Sequence, residues 1–403
     1  MKRNFTFIDL FAGCGGLTEG FYRVGYKALL HLEINKAACE TLKTRMRYYG
    51  YSQEDIENAV MCDDITREGL IEDMDQRVSE EVDIIIGGPP CQAFSSVGRA
   101  QDPNSMSEDP RNYLFENYLE VLNHYKPKMF IFENVKGLLT AHPKGVNIFD
   151  LIVRDMSKTY KVVSNKETIL LNAVNYGVPQ NRERVILCGI RNDINIEPEE
   201  FYEKLIPTHS IVAKDGLKPA VTVREAISDL PKLFPGEGME VINFNETKFN
   251  DYLLRIRSKD FGKLYQHVAR KHNKNDRERY RILSEHGNWQ LKDLAEVRPD
   301  LVNHDPKHFG NRYTVQEWDK PGRTVVAHLY KDGNLFIHPD STQERTFTVR
   351  EAARIQSFPD DFFFEGSRTE QFKQVGNAVP PLMAEAFAIT LKEMLSQKEM
   401  RGK

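Results

Sequence analysis

Cys91 is the side chain in this sequence best placed to do chemistry. It follows a short β-branched run, Val82-Asp83-Ile84-Ile85-Ile86, and a stiff turn, Gly87-Gly88-Pro89-Pro90. A thiolate is the most nucleophilic group a protein offers near neutral pH. A packing cysteine needs no rigid turn at the carboxyl end of a strand, which is where open α/β sheets bind ligands. Glu133 ends another predicted strand, Lys128–Phe132, expected beside the first. A sulfur nucleophile and a carboxylic acid facing one substrate suit addition to an electron-poor ring. The acid protonates or holds a ring nitrogen while sulfur attacks carbon. Further along, Gln180, Arg182 and Arg184 alternate as the chain enters a predicted strand. Period two would put them on one side, where the arginines can hold a carbonyl oxygen, a phosphate or Glu133 itself.

A second cluster opens the chain. Asp9 and Phe11 precede a glycine loop containing Gly13, Gly15 and Gly16. The loop follows a strand and precedes a helix, so its backbone can approach a ligand closely. It lacks the third glycine of the dinucleotide pattern, because Thr18 stands there, and no Lys-Ser/Thr follows to hold phosphates. Glu33 and Asp64 end the next two predicted strands, placed to accept from ribose hydroxyls and from an exocyclic amine. A nucleoside without a pyrophosphate fits this set, with the aromatic ring of Phe11 on its base. Helix capping is the plainer role for Glu33 and Asp64.

The elements that must hold these groups alternate. Predicted strands are Phe5–Leu10, Lys27–Leu32, Ala59–Cys62, Ile84–Ile86, Lys128–Phe132, Val162–Leu171 and Arg184–Ile190. Predicted helices run Leu17–Val24, from an Asn35 cap to Tyr48, Asn112–Tyr125 and Ile148–Tyr160. Such alternation gives an α/β fold with a doubly wound, mainly parallel sheet. From Arg191 to about Arg345 the alternation stops, and a smaller irregular, β-rich domain is expected there. Helices return at Val349–Phe358 and at about Pro380–Ser396, the last rejoining the first domain. Residues 1–190, 191–345 and 346–403 are thus the expected divisions. Thr222-Val223-Arg224-Glu225-Ala226 recurs as Thr348-Val349-Arg350-Glu351-Ala352, and each copy can start a helix.

Composition sets the class. The chain has 403 residues, 40% hydrophobic and 28% charged, typical of an ordinary globular protein. It shows no bilayer-spanning apolar stretch and no signal-peptide pattern. The five cysteines form no C-x-x-C pair, which argues against zinc and a disulfide framework and fits a reducing cytoplasm. Net charge is -4, yet residues 251–330 carry 16 Lys and Arg against 11 Asp and Glu, and six of the eleven histidines. Concentrated basic charge is the footprint of a polyanion partner. Arg270, Lys271 and Lys274 are the expected phosphate contacts, with 277–281 as a second cluster or the solvated face of a helix.

Six ordered blocks resemble the cytosine-C5 DNA methyltransferases: DLFAGCGG at 9–16, GPPCQAFS at 88–95, FENV at 132–135, YGVPQNRER at 176–184, REAARIQSFP at 350–359 and QVGNAVPP at 374–381. The resemblance implies that Cys91 attacks C6 of a flipped cytosine, that Glu133 contacts its N3 and amino group, and that Arg182 and Arg184 orient the base. It implies S-adenosylmethionine as cofactor, leaving as S-adenosylhomocysteine, with no metal. Asp9, Phe11, Gly13, Gly15, Glu33, Asp64, Ile65, Pro89 and Asn377 would hold it. Residues 92–109 would form a catalytic loop, with Gln92, Ser95 and Gln180 at the DNA, and residues 191–345 would choose the sequence. The expected partner is double-stranded DNA. A stand-alone prokaryotic, monomeric enzyme is expected, paired with a restriction endonuclease or acting without one. A tRNA-directed relative, a silent DNA-binding protein and a NAD oxidoreductase are the rival readings. The long basic insertion, the intact Cys91 and Glu133, and Thr18 argue against each in turn.

Overall fold

The computed structural model describes residues 4–90, 113–142, 145–245, 249–258, 260–287, 289–302 and 312–401. Cys91, Gln92 and Ser95, and the rest of the expected catalytic loop, lie outside the described residues. Contacts divide the chain into two compact units. The first comprises Met1–Tyr176, Glu183–Pro207 and Pro381–Lys403, and the second Gly177–Arg182 and Thr208–Pro380.

The first unit is built on a sheet of eight strands among the described residues. They are β1 (Thr6–Leu10), β2 (Lys27–Glu33), β3 (Val60–Cys62), β4 (Ile84–Gly87), β5 (Met129–Val135), β6 (Tyr160–Val162), β7 (Leu170–Asn172) and β8 (Glu183–Arg191). Their order is β3-β2-β1-β4-β5-β8-β6, with β7 also paired to β8. The first five are parallel, and β8 runs antiparallel to β5, β6 and β7. The central strands are covered on both faces, which is why Ile84, Ile85, Ile86, Phe130, Ile131 and Phe132 form continuous apolar runs with no exposed surface. The order reverses between β1 and β4, the switch point at which such sheets open a ligand crevice.

Helix α1 (Gly16–Val24) packs on the C-terminal helix Pro381–Arg401. A Cβ on Gly20 would stand 2.3 Å from the backbone nitrogen of Glu385, so only glycine permits this approach. The expected strand over Val162–Leu171 is instead two short strands around one helical turn, Lys166–Ile169. Asn165 causes the break, since its side chain accepts from the N–H groups of Glu167 and Thr168.

In the second unit the repeated pentapeptide starts a helix both times, Val223–Ile227 and Val349–Ile355. Each has a capping box, Thr222 with Glu225 and Thr348 with Glu351. Strands β9 (Gly238–Asn243) and β10 (Lys263–Val268) form an antiparallel ladder. Arg345, Arg350 and Arg354 are fully buried, answered by Glu351, by Asp229 and Asp360, and by backbone carbonyls.

Candidate active site

Register places the strand ends of the first unit in one line. Met61, Leu32, Leu10, Gly87 and Phe132 are successive cross-strand partners. The residues that follow them, Cys62, Glu33, Phe11, Gly88 and Glu133, therefore rim the same edge of the sheet. Topology alone thus brings Phe11, Glu33, Gly88 and Glu133 to one edge.

The glycine loop is tightly shaped. Phe11 adopts a left-handed backbone, φ 58°, which costs an aromatic residue about 1–2 kcal/mol. Its ring is partly buried against the core. Gly13 and Gly15 also have positive φ, and a Cβ on Gly15 would meet Leu42 at 2.8 Å. Around Gly13 the space is open. The carboxylate of Glu33 ties the loop to the next turn, accepting from Gly13 N–H at 2.8 Å and Asn35 N–H at 2.7 Å. Burial raises its pKa while these N–H groups oppose the rise. Asp64 is exposed, with Oδ1 accepting from the backbone and hydroxyl of Thr66, and Ile65 is buried beside it. Neither Glu33 nor Asp64 caps a helix: Asn35 caps the helix after β2 and Gly69 precedes the one after β3, while Glu33 and Asp64 tie turns.

Glu133 stands against the turn that leads to Cys91. A Cβ on Gly88 would lie 2.7 Å from Glu133 Oε2. Arg184 Nε approaches Glu133 Oε1 at 2.9 Å, with both side chains about nine-tenths buried. The N–H does not point along this contact, so it is an ion pair and not a well-aligned hydrogen bond. Burial lowers the pKa of the guanidinium and Glu133 raises it in part. Sequence reading gave Asn134 no role of its own. Its Nδ2 donates to Pro89 O at 3.2 Å and its Oδ1 accepts from Val135 N–H, clamping the turn after β4 to the end of β5. Pro89 is buried at that clamp.

Gln180, Arg182 and Arg184 do not share one side of a strand. The strand begins at Glu183, because Pro179 and Asn181 pair their backbones with Gly322 in the second unit. Gln180 is fully buried there, bonded to Gln356, Ile355 O and Val325 N. Arg182 donates to Val325 O and Ala378 O. Asn377 ends the helix Arg368–Asn377 of that unit, where Gly376 leaves no room for a Cβ beside Ala327. Arg270 is buried and donates to the carbonyls of Leu329, Tyr330 and Lys331, leaving Lys271 and Lys274 exposed. Arg277 and Arg281 pair with Glu344, Glu278 and Glu285, and Arg279 is buried on Leu301 O. The 277–281 cluster lies on the helix Lys274–His286.

A doubly wound sheet carrying a nucleoside-type glycine loop and an acid at the end of β5 is the architecture of the S-adenosylmethionine-dependent methyltransferases. Residues 5–393 match the model of the C-5 cytosine-specific DNA methylases. The Type II methyltransferase M.Bpa9945I of Bacillus paralicheniformis is 36% identical, over 96% of this chain and 99% of its own. The Type II methyltransferase M.DdeI of Desulfomicrobium norvegicum is 36% identical, over 94% of this chain and 87% of its own. Among solved structures, a DNA modification methyltransferase encoded within an E. coli prophage shares the fold, with a TM-score of 0.69, 23% identity, and coverage of 98% of this chain and 100% of that one. The chain belongs to the C-5 cytosine-specific DNA methylase family and is a DNA (cytosine-5-)-methyltransferase. Membership implies S-adenosylmethionine as cofactor. The rim fits it, since an open Gly13 and the carboxyl groups of Glu33 and Asp64 suit a cationic nucleoside. No helix among the described residues is long and apolar enough to cross a membrane.

Proposed function

We propose that this enzyme methylates C5 of a cytosine flipped out of duplex DNA, through a covalent bond between Cys91 and C6. The observation that carries the reading is the placement of Glu133. It is paired to Arg184 and seated against Gly88, three residues before Cys91. When bound, S-adenosylmethionine supplies an electrophilic methyl group.

The chain's own residues do the rest. Cytosine C5 is a poor nucleophile, and addition of the Cys91 thiolate at C6 makes it enamine-like. Glu133 holds a proton at N3, so the charge that develops on the ring is neutralised where it appears. Loss of the C5 proton and elimination of the thiolate then restore the aromatic ring and free Cys91. Arg184 keeps Glu133 aimed at the base. A base inside a duplex is out of reach of a thiol in a crevice, so the cytosine leaves the stack. Phe11, Gly13, Gly15, Glu33, Asp64, Ile65 and Pro89 are assigned to the cofactor. Arg182 and Gln180 are assigned a supporting role through the backbone they hold.

The second unit is proposed to choose the DNA sequence, with Lys271 and Lys274 on phosphates. Because M.Bpa9945I and M.DdeI are named Type II methyltransferases, a partner restriction endonuclease is part of the reading. Cys91→Ala tests it. Methyl transfer to duplex DNA should vanish while S-adenosylmethionine still binds. Retained transfer would exclude the covalent route.

A further inference from the structure

Asp9 lies at the root of the glycine loop with its carboxyl group sealed from water. Only 1% of its surface is exposed. One oxygen, Oδ2, accepts from Thr18 Oγ1 at 2.6 Å, and the other, Oδ1, is buried without a hydrogen-bond partner among the described residues. When Asp9 is ionised, Thr18 gives its single proton to it and can only accept from His31 Nδ1 at 3.3 Å. His31 Nε2 must then accept from the Tyr22 hydroxyl at 2.8 Å. The chain Tyr22, His31, Thr18, Asp9 runs one way and ends on a carboxyl group with half its capacity unmet. Burial holds His31 neutral, its pKa pushed down to about 3, so no positive charge faces Asp9 across Thr18 near neutral pH.

The groups around Asp9 do not balance a negative charge. Glu33 acts on it from β2, and Asp9 in turn helps to keep the buried Cys14 thiol of the loop protonated. Tyr22 of α1 and Tyr118 of the helix Leu114–Tyr125 face it as well. In register, His31 is its partner on β2 and Ile86 on β4. An ionised carboxylate with one hydrogen bond, buried near another carboxylate, is unfavourable. Accordingly burial raises the Asp9 pKa to about 8, with the Glu33 charge adding to the rise and the Thr18 hydroxyl opposing it.

We propose that Asp9 is a proton-linked counter-charge for the cofactor. In the free enzyme its carboxyl group is protonated. When S-adenosylmethionine settles over the glycine loop with its sulfonium and ammonium charges, the Asp9 O–H bond breaks. The electron pair stays on the carboxylate and the proton leaves to solvent. The inference rests on the reading of this loop as the cofactor site. It also gives the loop a means of telling substrate from product, since S-adenosylhomocysteine lacks the sulfonium charge and should draw the proton off less completely.

Calorimetric titration of the whole protein at pH 7, in two buffers of different ionisation enthalpy, measures the proton directly. About one proton should be released per S-adenosylmethionine bound, and fewer per S-adenosylhomocysteine. Affinity should tighten up to about tenfold per pH unit below pH 8 and level off above it. Asp9→Asn keeps an acceptor for Thr18 and should abolish the release. Should that variant fail to fold, infrared difference spectra of the natural protein serve instead, in which a protonated carboxylic acid band should disappear on binding. Binding without proton release, or without loss of that band, would overturn the proposal. Release that persists in Asp9→Asn would overturn it too and move the proton to another group, with Glu33 the nearest carboxyl. Failure of both ligands to bind the natural protein would overturn the cofactor reading of the loop and the proposal with it.

Discussion

Glu133 Oε2 stands 2.7 Å from the point where a Cβ on Gly88 would sit. The glycine before the two prolines is therefore a seat for the carboxylate as well as a turn residue. Gly88→Ala should displace Glu133 and lower the rate of methyl transfer by about 10² to 10⁴-fold, the range for losing a general acid. Glu133→Gln should fall in the same range. In both variants the dissociation constant for S-adenosylmethionine, read by calorimetry, should change little.

Arg184 and Glu133 form a mostly buried ion pair, so removing one partner leaves the other uncompensated. Arg184→Met should destabilise the protein by about 3–5 kcal/mol in urea titration. Adding Glu133→Gln to it should recover part of that loss. A strictly additive double variant would show that the pair is not coupled.

Glu33 receives two loop N–H groups and rims the proposed cofactor site. Glu33→Ala should weaken S-adenosylmethionine by about 1.5–3 kcal/mol, the worth of a charge-assisted hydrogen bond. Unchanged affinity with lowered melting temperature would leave Glu33 as a tie between the glycine loop and the turn at Asn35 alone.

His338 is buried beside the Arg345–Glu351 pair, and burial pushes its pKa down to about 3. The folded state favours the neutral ring, so the unfolded chain takes up the proton first. Stability is intact above pH 6.5 and falls as pH drops below it, by about 2 kcal/mol at pH 5 from this residue. Glu351, held low by Arg345 despite its burial, adds a further loss only as pH falls through the ordinary carboxylate range. His338→Asn should flatten the first part of a melting-temperature profile between pH 7 and pH 5 and leave the second.

The parallel half of the molecule was legible because buried parallel strands announce themselves as β-branched and aromatic runs, as in Ile84–Ile86. The strand ends then placed Glu33, Gly88 and Glu133 on one edge without further information. Period two misled at Gln180 and Arg182, because backbone pairing to Gly322 is a tertiary event that no local pattern encodes. Basic charge misled at Arg270 for a related reason. Sequence shows the guanidinium and hides the carbonyls of Leu329 to Lys331 that receive it. The repeated Thr-Val-Arg-Glu-Ala was readable as two helix starts, since a capping box needs only residues three apart. Asp9 was visible as a residue of the loop, yet its sealed position depends on Thr18, His31 and Tyr22 from two other turns of chain.

The covalent bond from Cys91 to cytosine C6 is the central claim, and a substituted substrate tests it most directly. A duplex carrying 5-fluorocytosine at the target allows sulfur addition and methylation but blocks the loss that frees the thiolate. Incubated with enzyme and S-adenosylmethionine, it should yield a denaturation-resistant protein–DNA adduct. Its mass should be that of protein, DNA and one methyl group, and peptide mapping should place the link on Cys91. An enzyme that methylates normal DNA yet forms no such adduct, or links through another residue, would contradict the account.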